Sequence, residues 1–283
     1  MQRVRLTRLA AKVEKAITDG LVITPTGTRH AIGESVDRCL MNTQYYSHEK
    51  MKKLRRNFET EGATLPDFET VTEFKNTYIV DTIFETVKKD PAQPVAVLNF
   101  ASPKNPGGGW YSGAVAQEES LARSSALVIS LKLNDCLPFY STADQKTKSF
   151  AHEEQLRNGL IYSHEVPFFV GPDEKFCEPV YCSVISCAAV NRNSKLVKTH
   201  LNGQQVEEFM NVRIRNVLAI ALQMNVSTLL LGAWGTGVFG NDVGMIARLF
   251  WLNINQTYRN CFAKVIFAIP DAETLQDFRN FYR

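Results

Sequence analysis

Five apolar runs dominate the chain after Pro94: "VAVLNF" from Val95, "GLIYSHEVPFFV" from Gly159, "YCSVISCAAV" from Tyr181, "TLLLGA" from Thr228 and "KVIFAI" from Lys264. They are short, β-branched and aromatic, and most are followed by loops or helical patterns. Gln204 to Asn225 carries Val206, Phe209, Val212, Val217, Ile220 and Met224 at near-helical spacing, which predicts a long amphipathic helix. Two more helices are expected over Asp242 to Tyr258 and Asp271 to Tyr282, the first capped by its asparagine and aspartate. Strands that alternate with helices must bury both faces of their sheet, so the chain from 91 to 283 reads as an α/β layered domain with a mainly parallel sheet.

Residues 1–90 read differently. They look helical and polar apart from "LVITPTGTRHAI", which predicts two short extended pieces around Thr26-Gly27. The expected organisation is therefore an N-terminal helical accessory region, 1–90, packed on a core of residues 91–283, the two forming one structural unit. The opening "MQRVRLTRLAAKVEKAI" is basic and acid-poor up to Lys12, as a transit helix would be. Leu6, Leu9, Val13 and Ile17 also recur at the spacing of a core-facing helix, and that reading is preferred.

Composition narrows the function classes. With 32 basic and 29 acidic residues, a net charge of +3, the surface is too balanced for general polyanion binding, so a phosphate-bearing ligand needs a local site. No direct nucleic-acid binding is predicted. The six cysteines include no C-x-x-C and the five histidines no H-E-x-x-H, so no metal site is expected. Reduced cysteines, no long apolar segment and no secretory h-region predict an intracellular protein, cytoplasmic or nuclear, without membrane contact.

Two glycine-rich loops follow strands. "VLNF" leads to Gly107-Gly108-Gly109, and "LLLGAW" leads to Gly235-Thr236-Gly237-Val238-Phe239-Gly240. In open α/β sheets ligands bind at the carboxyl ends of strands, and successive glycine amides make an anion site without lysine. The second loop is literally G-x-G-x-x-G, but a nicotinamide-binding unit needs an acidic residue about 20 positions on. After Asp242 none occurs before Asp271. Gln117-Glu118-Glu119 sits seven residues past the first glycine run, and two adjacent carboxylates near an anion loop are costly unless chemistry uses them.

The stretch "GGGWYSGAVAQEE", approached by "NFASPKNP", resembles the signature of poly(ADP-ribose) glycohydrolases of the microbial type. "LGAWGTGVFGND" is similar to the family's diphosphate-binding loop, and "RLAAKVEKAITDG" looks like its helical extension. The resemblance implies a macrodomain-like fold, no metal and no cofactor. It implies poly(ADP-ribose) or ADP-ribose as ligand, ADP-ribosylated proteins as substrates, and hydrolysis of ribose–ribose bonds. By position, Glu119 is the implied catalytic acid and Glu118 its partner on the ribose hydroxyls, with Gln117 beside them. Gly107, Gly108 and Gly109 would approach the sugars; Gly235, Thr236, Gly237 and Val238 would wrap the diphosphate, with Phe239 near the terminal ribose. Asn105 is the nearest candidate to hold ribose, and Val190 and Asn191 are candidates for an adenine pocket. Ile269 falls where an adenine-stacking aromatic would be sought.

Breaking a glycosidic bond requires a proton on the departing oxygen. Neighbours on a helix point about 100° apart, so Glu118 and Glu119 cannot flank one bond. One carboxyl that first gives a proton and then activates water fits better. Two readings stay open beside this one: a non-catalytic ADP-ribose reader, and a hydrolase of mono-ADP-ribosyl links. "HEEQ" from His152 and "EKMKKLRRNF" from Glu49 are read as solvated helix or loop, although the second could touch a polymer's phosphates.

Overall fold

The structure, a computed structural model, describes residues 2–60, 66–140 and 149–282. Helix α1 (Gln2–Asp19) leads into a hairpin of β1 (Leu21–Ile23) and β2 (Arg29–Ala31), with Gly27 at positive φ in its turn. There follow α2 (Gly33–Met41), β3 (Gln44–Tyr46), α3 (His48–Glu59), β4 (Val71–Lys75), α4 (Ile79–Lys89) and β5 (Val95–Phe100). Past the first glycine run come α5 (Gln117–Ser124), α6 (Leu127–Leu131), α7 (Leu137–Tyr140) and α8 (Phe150–Leu156). Two long strands, β6 (Leu160–Val170) and β7 (Phe176–Cys187), precede α9 (Lys195–His200) and α10 (Gly203–Gln223). The chain closes with β8 (Thr228–Leu231), α11 (Val243–Leu252), β9 (Lys264–Ala268) and α12 (Ala272–Asn280).

Each of the five apolar runs forms a strand of one seven-stranded sheet, ordered β3-β6-β7-β5-β8-β9-β4. The β7–β5, β5–β8, β8–β9 and β9–β4 pairs are parallel, while β3–β6 and β6–β7 are antiparallel. One face packs α3, α9, α10, α11 and α12 around residues such as Met210, Leu229 and Phe267. The other carries α4, α5 and α6 around Ile83, Leu121 and Leu230. A third cluster joins α1, the hairpin and α2 to Trp110, Ala122 and Phe169.

The sheet adds strands to the helical region expected over residues 1–90. Strands β3 and β4 come from the first 90 residues and form both of its edges. Neither carries the fully apolar pattern of a central strand, because an edge strand has only one neighbour to satisfy. Two corrections concern helices. The one expected to reach Tyr258 ends at Leu252 and passes into a π-turn over Asn253–Thr257. "HEEQ" does form a helix, but Glu154 is buried and ion-paired to Arg213 at 2.6 Å. Arg213 is wholly buried and also donates to Asn158 and to the carbonyls of Ala188 and Glu154, which ties α8 and the end of β7 to α10. Such a pair survives burial only because every guanidinium nitrogen is engaged.

Candidate active site

The sheet opens at the carboxyl end of β5. There β8 pairs with β5 only from Val95 to Val97, whereas β7 follows it as far as Phe100. The side chain of Gln117 occupies the vacated edge: its Nε2 donates to the Leu98 carbonyl at 2.7 Å and its Oε1 accepts from the Phe100 amide at 2.9 Å. Gln117 therefore substitutes for a strand neighbour. By docking on β5 it fixes the first turn of α5, on which the two glutamates lie.

Glu118 and Glu119 are nearly buried, 4% and 9% exposed. Glu118 Oε2 accepts from the Ser102 amide at 2.7 Å, and its Oε1 meets Asn99 Nδ2 at 3.4 Å, which in turn donates to Ser186 Oγ. Burial pushes the Glu118 carboxyl up to about 8, against the opposing pull of the Ser102 amide and Asn99. Glu119 adds a smaller push in the same direction. Near neutral pH Glu118 is thus largely protonated, and one source of repulsion within the pair is removed. Glu119 Oε1 accepts from the Gly109 amide at 2.8 Å, while its Oε2 is buried with no hydrogen-bond partner among the described residues.

The first glycine run explains itself against this pair. Gly108 has φ +58, and a Cβ there would collide with Glu119 Oε1 and approach Glu118 Oε2 at 3.0 Å. A residue with a side chain would be both strained and in the way. The amides of Gly108, Gly109 and Trp110 are satisfied within the loop or by Glu119. Gly107 to Gly109 hence clamp the carboxylates, where the resemblance implies contacts to the sugars. The Asn105 side chain is exposed and takes no part in this network, and the asparagine beside Glu118 is Asn99. A buried asparagine within "VAVLNF" was the available signal.

The second loop is built differently. Asn241 Nδ2 donates to the carbonyls of Val190 and Gly235 at 2.8 and 3.0 Å, and Asn193 Nδ2 donates to the Val238 carbonyl at 3.0 Å. Gly235, at φ +76, lies so close to Ala189 that a Cβ would stand 2.6 Å from it. The loops after β7 and β8 are therefore stitched together beyond the end of β5. The Thr236 hydroxyl is committed to the Ala233 carbonyl. Among the described residues the amides of Gly237, Val238 and Phe239 donate to no protein group. Val238 is 80% exposed, and Phe239 packs partly against the core. Three consecutive amides on this exposed turn are thus left free to donate.

Val190 is 0% exposed and its side chain belongs to the core, which corrects its expected place in an adenine pocket. Asn191 is half-buried and its Oδ1 accepts from the Asn193 amide. Ile269 is buried too, its amide bonded to the Lys75 carbonyl. Strand-end position alone could not tell an inward from an outward side chain. Among the described residues no three His, Cys, Asp or Glu side chains cluster as a metal site would require, and no helix is long and apolar enough to cross a membrane.

The chain and its fold are similar to known proteins. The model of the microbial-type PARG catalytic domain matches residues 10–170. No curated protein sequence matches the chain. Among solved structures, poly(ADP-ribose) glycohydrolase from Thermomonospora curvata is 30% identical, with 99% of each chain covered and a TM-score of 0.86. Its complex with the inhibitor ADP-HPD is 30% identical over 98% of this chain and 99% of that one, with a TM-score of 0.83. The Deinococcus radiodurans enzyme in complex with ADP-ribose is 31% identical over 87% of this chain and 96% of that one, with a TM-score of 0.74. Motif, geometry and comparison agree: the chain belongs to the family of microbial-type poly(ADP-ribose) glycohydrolases.

Proposed function

We propose that this glycohydrolase binds the ADP-ribose units of poly(ADP-ribose), including polymer carried by proteins, and cuts the ribose–ribose bond with Glu119 as the single acid and base. One observation supports this above all: Glu119 Oε2 is buried and unpartnered among the described residues, while Oε1 is fixed by the Gly109 amide. A carboxyl so held presents one free oxygen in a fixed direction. It gives its proton to the leaving 2′-oxygen as the C1″–O2′ bond breaks, and the ribose passes through an oxocarbenium-like state. The resulting carboxylate then takes a proton from the water that attacks C1″, which restores the acid. Glu118, neutral and anchored to Ser102 and Asn99, positions the loop and offers a hydrogen bond towards the ribose hydroxyls. The open amides of Gly237, Val238 and Phe239 take the diphosphate, with Asn191 at the rim of the same cleft.

The test is product analysis on poly(ADP-ribose) with the wild type and Glu119→Gln. The wild type should release ADP-ribose. The variant keeps shape but lacks the proton, so turnover should fall by roughly 10²–10⁴-fold while ADP-ribose affinity changes little. An intact polymer that binds tightly to the wild type would instead make the chain a reader, and near-full turnover by Glu119→Gln would move the proton donor elsewhere.

A further inference from the structure

The basic stretch on α3 has no part in the cleft just described, yet it is joined to it. Asn193, whose side-chain amide holds the Val238 carbonyl, sits in the segment Arg192-Asn193-Ser194-Lys195 that leads into α9. No Asp or Glu occurs between Glu178 and Glu207. Arg192, Lys195, Lys198 and His200 are all exposed, and the first three form no ion pair among the described residues. From α9 the surface continues to α8, where Phe150 packs on His200 with ring centroids 5.4 Å apart. It then reaches α3, where Gln155 of α8 bonds His48 at 3.1 Å. Lys50 and Lys52 are exposed there, and the charges of Lys52, Arg55 and His152 all act on His48. In a chain of net charge +3, lysines and arginines thus stand on and beside α9 and on α3, with α8 between them. The acids on this surface are Glu154, taken by Arg213, Glu49, 3.8 Å from His48, and the half-buried Glu153 of α8.

We infer that this strip, from Arg192 across α9 to Lys52 on α3, is a docking track for the units of poly(ADP-ribose) that continue beyond the one held in the cleft. The inference rests on the glycohydrolase reading above and extends it to chain length. Two features favour the polymer as occupant. The strip is continuous with the open amide turn through Asn193, so an anionic chain leaving that turn first meets Arg192, Lys195 and Lys198, in a stretch that holds no Asp or Glu between Glu178 and Glu207. It also lies on the α10 face of the sheet, whereas Glu119 lies on the α4 and α6 side, so the track leads away from the bond being cut. Each unit carries two phosphates, and point charges on flexible lysines suit a backbone that is held without being read.

The test uses the full chain with Lys195→Glu/Lys198→Glu, Lys50→Glu/Lys52→Glu, and the control Lys88→Glu/Lys89→Glu at the far end of α4. For each, KM and kcat are measured on long polymer and on a two-unit substrate at several salt concentrations, with ADP-ribose affinity as a check on the cleft. Both strip variants should raise KM for long polymer about tenfold and lessen its salt slope by about one for each phosphate no longer engaged. Their kcat, two-unit KM and ADP-ribose affinity should stay at wild-type values, as should every value of the control. Unchanged KM on long polymer, an equal rise on the two-unit substrate, or an equal rise in the control would overturn the inference. Single-stranded RNA of matched phosphate number should bind more weakly than polymer; equal binding, abolished in the strip variants, would make this a nucleic-acid surface and also overturn it. Equilibrium binding of polymer to the same variants in a Glu119→Gln background scores the strip even if the wild type proves not to hydrolyse the polymer, so the two readings fail separately.

Discussion

The two glutamates are alike in sequence and unlike in surroundings. Glu118 has both oxygens engaged and its proton affinity raised by burial; Glu119 has one oxygen engaged and one free. The raised value has a consequence for stability. Between the ordinary carboxylate range and about 8 the folded protein holds a proton on Glu118 that the unfolded chain has lost. Its contribution is therefore fully present below the unfolded value and is lost as pH rises through about 8. Melting temperature followed from about pH 5 to 9 should fall more steeply in the wild type than in Glu118→Gln, which cannot titrate there. Parallel curves would mean that Glu118 is ionised throughout. The glutamates and glycines of this centre were legible because their types and spacing are unusual. Asn99 was not, since its significance comes from meeting Glu118 across 19 positions of chain. The bonds of Gln117 to β5 were not legible either, because an amide that replaces a strand neighbour is visible only once β5 and β8 are seen to part.

At the scale of elements the two glycine loops divide the labour. The first spends its amides on its own carbonyls and on Glu119, and the second keeps three unspent. A Cβ on Gly237 would meet nothing within 4 Å, so a side chain there disturbs no protein neighbour. Gly237→Val should consequently keep the wild-type melting temperature and weaken ADP-ribose binding by tenfold or more, about 1.4 kcal/mol, read by calorimetry. Unchanged affinity would reduce this loop to a turn. Strands β5 to β9 were readable as apolar runs because each is flanked on both sides in the sheet. The three and five residues of β3 and β4 were hidden, since "QYY" and "VTEFK" are half-buried and short. Glu154 looked solvated for a related reason: its partner Arg213 is 59 positions away on α10.

For the whole molecule the N-terminal helix is a buttress of the active centre. Leu6, Ala10, Val13 and Ala16 of α1 are buried, and the cluster that the last three enter contains Trp110, the residue after the glycine run. Arg3 Nε donates to the Ser112 carbonyl at 2.8 Å, and Gly113 is pressed against the Arg3 carbonyl. Val13→Asp would bury an unpaired charge and should lower the melting temperature by many degrees. Polymer turnover, assayed where the variant is still folded, should fall with it while ADP-ribose affinity at the second loop persists. Full turnover would show α1 to be decoration.

The placement of β4 bears on how the molecule comes into being. It pairs with β9, and the hydrogen bond from Asn76 to Ile269 spans 193 positions. Pairings of such long range close slowly, because loop entropy must be spent before any bond is gained. A chain emerging from the ribosome holds both glycine loops before it holds β9, with the edge of β8 uncovered in the meantime. The finished sheet, and with it a rigid cleft, arrives only once β9 has been made.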